Sequence, residues 1–419
     1  MNLLETQAKL LIEELKIRNL IADCTNYDKL FNALINDKKI YIGFDPTAKS
    51  LHLGNYVGMC ILKHFKNFGF KTVAVLGGAT GLIGDPSFKK SERKLLTLDE
   101  VSNNGAKIKL QLKKYTNCDL IVDNLEFYQQ MYLIDFLRNV GKLINVNYLL
   151  EKEALSERLK TGLSYTEFTY PLLQGWDFYC LNQKYDVGIQ AGGSDQWGNI
   201  TTGIEIIRKL VTKQNNIVGI TFNLLTDYQG NKFGKSENNA LFLDQSLTSP
   251  NEIYQFLLQT ADQDVKKYLL TLTFLSINEI NDIILKHEEN LKLRLAQRQL
   301  AKAIILDLFD QNELKQCEIM AKLLFDNKEL KITTDEFVIL ENNLITVKIN
   351  QATQLIHLLV ATKLVASLGQ SRKLIQSSGI KINNQVINDT NFIISKNHAI
   401  NGYVLLQKGK KNFALVKFY

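Results

Sequence analysis

The sequence predicts an α/β fold: a parallel sheet with helices comes first, then a helical stretch, then a small α+β module. Three observations predict it. Three β-type runs (Lys39–Ile42, Lys71–Leu76 and Tyr185–Gln190) each pass through glycines into a helical pattern. Residues 250 to about 325 read as helix after helix. Residues 352–419 hold nine Lys/Arg and the one acid Asp389, a charge of +8, while the rest of the chain sums to −1.

The elements follow in order. Residues 1 to about 36 are helical, with Leu3, Leu4, Ala8, Leu11, Ile12 and Leu15 at helical spacing. This start has acidic residues and reads as a docking helix, not a signal or transit peptide. The run Lys39–Ile42 then enters Tyr41 to Asn55, YIGFDPTAKSLHLGN, and the helix Tyr56–Phe68 leaves it. A strand that turns through glycines into a helix presents free N–H groups and the positive end of a dipole, which suits an anion. His52 and Asn55 are three apart and share a face of the first turn, so both can donate to a phosphate oxygen. Gly54 lets a ligand approach closely.

The strand Lys71–Leu76 runs into Gly77-Gly78-Ala79-Thr80-Gly81, which is not a dinucleotide fingerprint. Lys89 and Arg93, four apart, fit a basic loop. Residues 95–160 alternate helices with the strand Leu120–Asp123. Next, Tyr170, Gln174 and Asp177 stand at i, i+4 and i+7 of a helix. A phenol, an amide and a carboxylate on one face suit a pocket that reads a polar ligand. The run Tyr185–Gln190 leads into Gly192-Gly193-Ser194-Asp195-Gln196. A strand-like segment, Gly219–Leu225, delivers the polar loop Asn231-Lys232-Phe233-Gly234-Lys235-Ser236, whose lysines can swing on a glycine hinge.

Composition narrows the class. At 419 residues, two to three domains are expected. The hydrophobic fraction of 45% and charged fraction of 22% are those of ordinary globular proteins. No apolar run reaches the roughly 18 residues of a membrane helix. The five cysteines are scattered without C-x-x-C, which points to a reducing compartment, the cytoplasm, and away from disulfides or zinc. The histidines never pair at metal-ligand spacing, so no protein-held metal is expected.

The pair H-x-G-N at 52–55 and K-F-G-K-S at 232–236 resembles the HIGH and KMSKS signatures of class I aminoacyl-tRNA synthetases. The stretches around Asp85, Tyr170–Asp177 and Gly192–Gln196 narrow the resemblance to the tyrosyl-tRNA synthetase family of bacterial and organellar type, over nearly the whole chain. The resemblance implies a Rossmann-like catalytic domain at 1–225 with a dimer-interface insertion at about 95–160. A KMSKS-type loop follows at 226–245, then an α-helical tRNA (anticodon) domain at 246–325, a linker at 326–350 and an S4-type RNA-binding domain at 351–419. It implies tyrosine binding by Tyr41, Asp85, Tyr170, Gln174, Asp177, Gln190 and Gln196. Within that set Asp85, Tyr170 and Gln174 would hold the ammonium, and Tyr41 with Asp177 the phenolic hydroxyl. ATP would meet Gly43, Asp45, Thr47, His52, Gly54, Asn55, Gly192, Asp195, Lys232, Lys235 and Ser236, with Lys89 and Arg93 as helpers at the pyrophosphate. Arg372, Lys373 and Lys381 would contact RNA phosphates.

The implied reaction joins L-tyrosine to tRNA(Tyr) through tyrosyl-adenylate, with ATP as substrate, Mg2+ accompanying it, a homodimer as the assembly and no membrane. The departure from the family pattern is Asn55, where a second His is frequent; Asn donates a hydrogen bond but carries no charge. A tryptophan enzyme shares the nucleotide motifs, but Tyr41 with Asp177 and the basic tail argue against it. The alternative from another class is an RNA-binding or splicing protein on a synthetase scaffold.

Overall fold

The computed structural model describes residues 3–87, 95–160, 162–211, 216–234, 240–325, 332–409 and 412–419. The chain divides into two compact units, Met1–Leu308 and Phe309–Tyr419.

The first unit is built on a six-stranded sheet: β1 (Asp23–Cys24), β2 (Lys39–Phe44), β3 (Thr72–Leu76), β4 (Leu120–Asp123), β5 (Val187–Gly193) and β6 (Val218–Phe222). The order is β1-β6-β5-β2-β3-β4. All pairs are parallel except β1, which runs antiparallel at the edge, Asp23 opposite Thr221. Every residue of β3 and β5 is buried, which a parallel sheet covered on both faces requires. From β2 the chain passes to β3 on one side, while β5 lies on the other. Such a switch point opens a crevice at the carboxyl ends of the strands.

Two helices frame that crevice. The helix Tyr56–Asn67 buries nearly its whole first two turns. The helix Tyr165–Tyr185 begins at Ser164, whose hydroxyl accepts the Glu167 N–H at 3.2 Å, and ends at Asp186 in the left-handed region. It packs on the helix Trp197–Leu210 through two glycines. A Cβ on Gly175 would sit 3.2 Å from the Gly203 Cα, so only glycine allows that approach.

The helices Pro250–Leu258, Asp262–Leu272, Ile277–Glu289 and Leu295–Leu308 complete the unit. Capping boxes at Ser249/Glu252 and Ser276/Glu279 start the first and third of these. Buried Arg18 ties the N-terminal helix to the second. Its guanidinium donates to the carbonyls of Leu270, Thr273 and Leu275 at 3.1, 3.1 and 2.5 Å, satisfying groups a helix end leaves without partners. Among the described residues, no helix is long and apolar enough to cross a membrane.

The second unit holds helices Gln311–Phe325, Thr334–Asn343, Leu355–Ala361 and Leu368–Gln376. Its strands are β7 (Thr346–Ile349), β8 (Thr353–Gln354), β9 (Ile380–Ile382), β10 (Gln385–Val386), β11 (Ile393–Ile394), β12 (Tyr403–Lys408) and β13 (Asn412–Phe418). Five of them form a sheet in the order β10-β9-β12-β13-β7.

Two expected boundaries are corrected here. The stretch 326–350, read as a linker, carries a capped helix and β7, which pairs parallel to β13 with Val347 opposite Val416. The helices expected as one domain at 246–325 divide at Leu308: Gln311–Phe325 belongs to the second unit. There Ile319 and Met320 join Phe337, Leu340, Tyr403, Leu405, Phe413 and Leu415 in one apolar cluster. Short, polar-interrupted elements give weak periodicity, and their apolar partners on β12 and β13 lie roughly 60 to 100 positions away in the chain.

Candidate active site

The ends of β2, β5 and β6, the turn after β3 and the helix Tyr165–Tyr185 enclose a cavity of about 260 Å³. Tyr41, Gly43, Asp45, Gly54, Asn55, Asp85, Tyr170, Gln174, Asp177, Gln190, Gly192, Asp195 and Gln196, all singled out in the sequence, line it. Thr47 is exposed three residues beyond the end of β2, and neither it nor His52 nor Lys232 is in the lining. Lys89, Arg93, Lys235 and Ser236 lie outside the described residues. Arg372 and Lys373 stand exposed on the helix Leu368–Gln376 of the second unit, and Lys381 stands on β9.

One region of the cavity is built around Asp177. Its carboxylate is buried and accepts from Asn124 Nδ2 at 2.8 Å and the Tyr128 hydroxyl at 2.7 Å. Burial pushes its pKa up to about 7; the two hydrogen bonds oppose that, and the charges of Asp45 and Asp123 add to it. The buried Tyr41 hydroxyl and the Gln190 side-chain oxygen have no hydrogen-bond partner among the described residues. Burial, then the charge of Asp177, hold the Tyr41 phenol well above its ordinary pKa, so it stays a neutral donor.

A second region is a cluster of carboxylates and amides. Asp45 accepts from Thr80 Oγ1 at 2.8 Å and from the Tyr170 hydroxyl at 3.1 Å. Asp85 accepts from the Ser87 N–H at 3.0 Å and from Gln196 Nε2 at 2.6 Å. Asn199 Nδ2 reaches Gln174 Oε1 at 3.0 Å and Gln196 Oε1 at 3.1 Å.

The third region is the glycine wall. A Cβ on Gly43 would meet no protein atom within 4 Å, so packing does not demand a glycine there; the missing side chain leaves room in the cavity. Gly192 is different, because its Cβ would lie 2.9 Å from the Cβ of Gln196. Burial, then the charge of Asp85, raise the pKa of Asp195, while Gln196 and the Lys232 ammonium oppose them.

The two glycine corners, far apart in sequence, are stitched together. Leu53 N–H donates to the Leu241 carbonyl at 2.7 Å, and Leu243 N–H to the Leu51 carbonyl at 2.8 Å. A Cβ on Gly234, whose φ is +77°, would sit 2.6 Å from the Gly54 nitrogen. A Cβ on Gly54 would sit 2.9 Å from the His52 ring and 3.2 Å from the Phe233 carbonyl oxygen. Asn55 Oδ1 accepts the His52 backbone N–H at 3.0 Å, which leaves its NH2 as the donor.

Sequence reasoning missed Thr80, Asn124, Tyr128 and Asn199. Asn124 was within reach of it, because it directly follows β4 at the carboxyl edge of the sheet, where such folds place ligand-facing groups. Tyr128 carried no comparable signal.

The model of the tRNA synthetases class I (W and Y) matches residues 36–326, and the Tyrosine--tRNA ligase SYY-like C-terminal domain matches 336–416. A tyrosine–tRNA ligase of Ureaplasma urealyticum is 47% identical over 97% of this chain and 98% of its own. One of Mycoplasmopsis agalactiae is 44% identical over 97% and 99%. The chain belongs to the tyrosine–tRNA ligase family of class I synthetases. A solved member, a C-terminally truncated mitochondrial tyrosyl-tRNA synthetase of Aspergillus nidulans, superposes with a TM-score of 0.69 at 29% identity. It covers 77% of this chain and 97% of its own. Tyrosine–tRNA ligases use ATP as a substrate. None of these likenesses supports an RNA-binding or splicing protein on a retired synthetase scaffold.

Proposed function

We propose that the chain activates L-tyrosine with ATP and transfers it to the 3′-terminal adenosine of tRNA(Tyr). A carboxylate oxygen of tyrosine attacks the α-phosphorus in line; the bond to the β-phosphate oxygen breaks, and pyrophosphate leaves with the electron pair. A terminal ribose hydroxyl then attacks the acyl carbon; the bond from that carbon to the phosphate oxygen breaks, and AMP departs with the electron pair and takes up the hydroxyl proton. No protein nucleophile enters. The chain contributes position and compensation of phosphate charge.

In this reading Asp177 accepts from the substrate's phenolic hydroxyl, and the Tyr41 hydroxyl donates to the same oxygen. Gln190 lines that slot. Asp85, Tyr170 and Gln174 take the ammonium, and Gln196 the carboxyl end. Gly43 gives the nucleoside room, Gly192 stands on the same wall and makes way for the Gln196 side chain, and Asp195 accepts from the ribose. Asp45 and Thr47 belong to the ATP side, with Gly54, His52 and the Asn55 NH2 at the phosphates. Lys232, Lys235 and Ser236, with Lys89 and Arg93, complete the phosphate set, and Mg2+ arrives with ATP. The observation that carries the reading is Tyr41: a buried neutral phenol with no partner among the described residues, beside a buried carboxylate, in a cavity where the absent side chain of Gly43 leaves space for a nucleoside.

Amino-acid-dependent ATP–pyrophosphate exchange tests it. Exchange with tyrosine and none with tryptophan or phenylalanine is expected; exchange driven by tryptophan, or by none of the three, overturns it.

The same proposal covers assembly and RNA. Tyr132, Leu133 and Ile134, exposed by 79%, 71% and 69%, support a homodimer through the 95–160 insertion. Sedimentation of Ile134→Glu as a monomer is expected. Arg372, Lys373 and Lys381 meet RNA phosphates. The five free cysteines support a reducing compartment, the cytoplasm.

A further inference from the structure

Four polar side chains form one hydrogen-bonded chain along the cavity: Asp85, Gln196, Asn199 and Gln174. They come from the turn after β3, the turn after β5, and the two helices packed through Gly175 and Gly203. Asn199 is buried, and its one NH2 group serves both glutamines.

The direction of every bond in this chain follows from its first member. The Asp85 carboxylate oxygens accept from the Ser87 N–H and from Gln196, so Gln196 turns its NH2 to Asp85. Gln196 then shows its oxygen to Asn199, which must donate. Gln174 must answer that donor with its own oxygen. An isolated amide can flip at little cost; this series cannot flip one member without setting two acceptors or two donors face to face.

We propose that Asn199 is a positioning residue for tyrosine activation. It carries the polarity of Asp85 across to Gln174 and holds the Gln174 oxygen at the substrate's ammonium. This rests on the tyrosine-activating reading above. Asn199 touches no substrate in that reading; it acts through the two glutamines.

The test is Asn199→Asp, which keeps shape and reverses hydrogen-bonding sense. The introduced carboxylate can only accept, so both glutamines must turn their NH2 groups to it. Gln196 then presents its oxygen to the Asp85 carboxylate, and Gln174 loses its set orientation. In ATP–pyrophosphate exchange the KM for tyrosine rises about 10- to 100-fold, while the KM for ATP stays within about twofold. Inhibition by 4-methylphenol, which has the phenol but neither the ammonium nor the carboxylate that the two glutamines meet, stays within about twofold, a selectivity that a packing defect would not produce.

The double variant Asp85→Asn with Asn199→Asp decides between polarity and packing. The amide that replaces the Asp85 carboxylate can donate to Gln196, so the whole series can run in reverse. The melting temperature of the double variant returns toward wild type, and its tyrosine KM is no worse than that of Asp85→Asn alone. The proposal is overturned by a wild-type tyrosine KM in Asn199→Asp, by equal losses for tyrosine and the ammonium-free analogue, or by additive defects in the double variant. Should Asn199→Asp fail to fold, a folded double variant supports the relay and an unfolded one overturns it. A wild-type protein without tyrosine-dependent exchange sinks the parent reading instead; the melting temperatures of the two variants still report the polarity.

Discussion

Replacing Asp177 by Asn separates the cost of this carboxylate to the fold from its use in binding. In the folded protein its pKa is pushed up to about 7, against an ordinary value of 3.8. Between those values the native carboxyl keeps a proton that the unfolded chain has released. Stability therefore falls as pH rises through that window, and the loss is complete above about pH 7. At about 1.4 kcal/mol per pH unit, wild type loses roughly 3 kcal/mol between pH 5 and pH 8 from this group. Asn does not ionise, and the site can accept it. The Tyr128 hydroxyl lies 2.8 Å from the Leu173 carbonyl, so it can donate there and accept from the new NH2, while Asn124 keeps its oxygen partner. Melting curves of the two proteins should therefore separate in the variant's favour by roughly 5 °C between pH 5 and pH 8, at about 2 °C per kcal/mol for a unit of this size. Meanwhile kcat/KM for tyrosine falls about 10- to 100-fold, the worth of a hydrogen bond to a charged acceptor. In wild type the same parameter declines as pH drops below about 7 and the acceptor is protonated. A melting gap that is constant within about 1 °C across this pH range, or full tyrosine activity in the variant, refutes the reasoning.

Tyr41→Phe removes a hydroxyl with no partner among the described residues, so the ligand-free protein changes by less than about 1 kcal/mol. Exchange kinetics should show tyrosine favoured over phenylalanine by about tenfold less than in wild type. Gly54→Ala drives a methyl against the His52 ring and the Phe233 carbonyl; ATP KM rises more than tenfold, or the protein melts several degrees lower, by exchange kinetics and calorimetry. Removing residues 309–419 leaves tyrosine-dependent exchange intact and abolishes charging of tRNA in a filter assay. A cut at 352 would instead strand β7 without β13 and expose the cluster around Phe337, so that product aggregates, as light scattering would show.

Much of the cavity was legible because the signals are local. Glycines after apolar runs mark the carboxyl ends of β2, β3 and β5, and Tyr170, Gln174 and Asp177 share a face through helical periodicity alone. Such patterns need only neighbours within about seven positions. The second unit was legible as a basic module, but its start was not: Ile319 and Phe337 find their partners in Tyr403 and Leu415, which no window along the chain can contain.

By itself, the sequence determined which residue types the site owns, in what order the strand–turn–helix units come, and that the basic excess sits at the C-terminal end. Only the tertiary structure decided that Gly54 and Gly234 touch and that Tyr170 bonds Asp45 instead of standing alone. It also decided that Asn124 and Tyr128 donate to Asp177 and oppose the rise that burial gives its pKa, and that Asn199 donates to both glutamines. The physical reason is range. Backbone propensity and periodicity act over a few residues, whereas burial, and the pKa shifts and hydrogen-bond polarity that follow from it, depend on segments that meet only when the sheet is assembled.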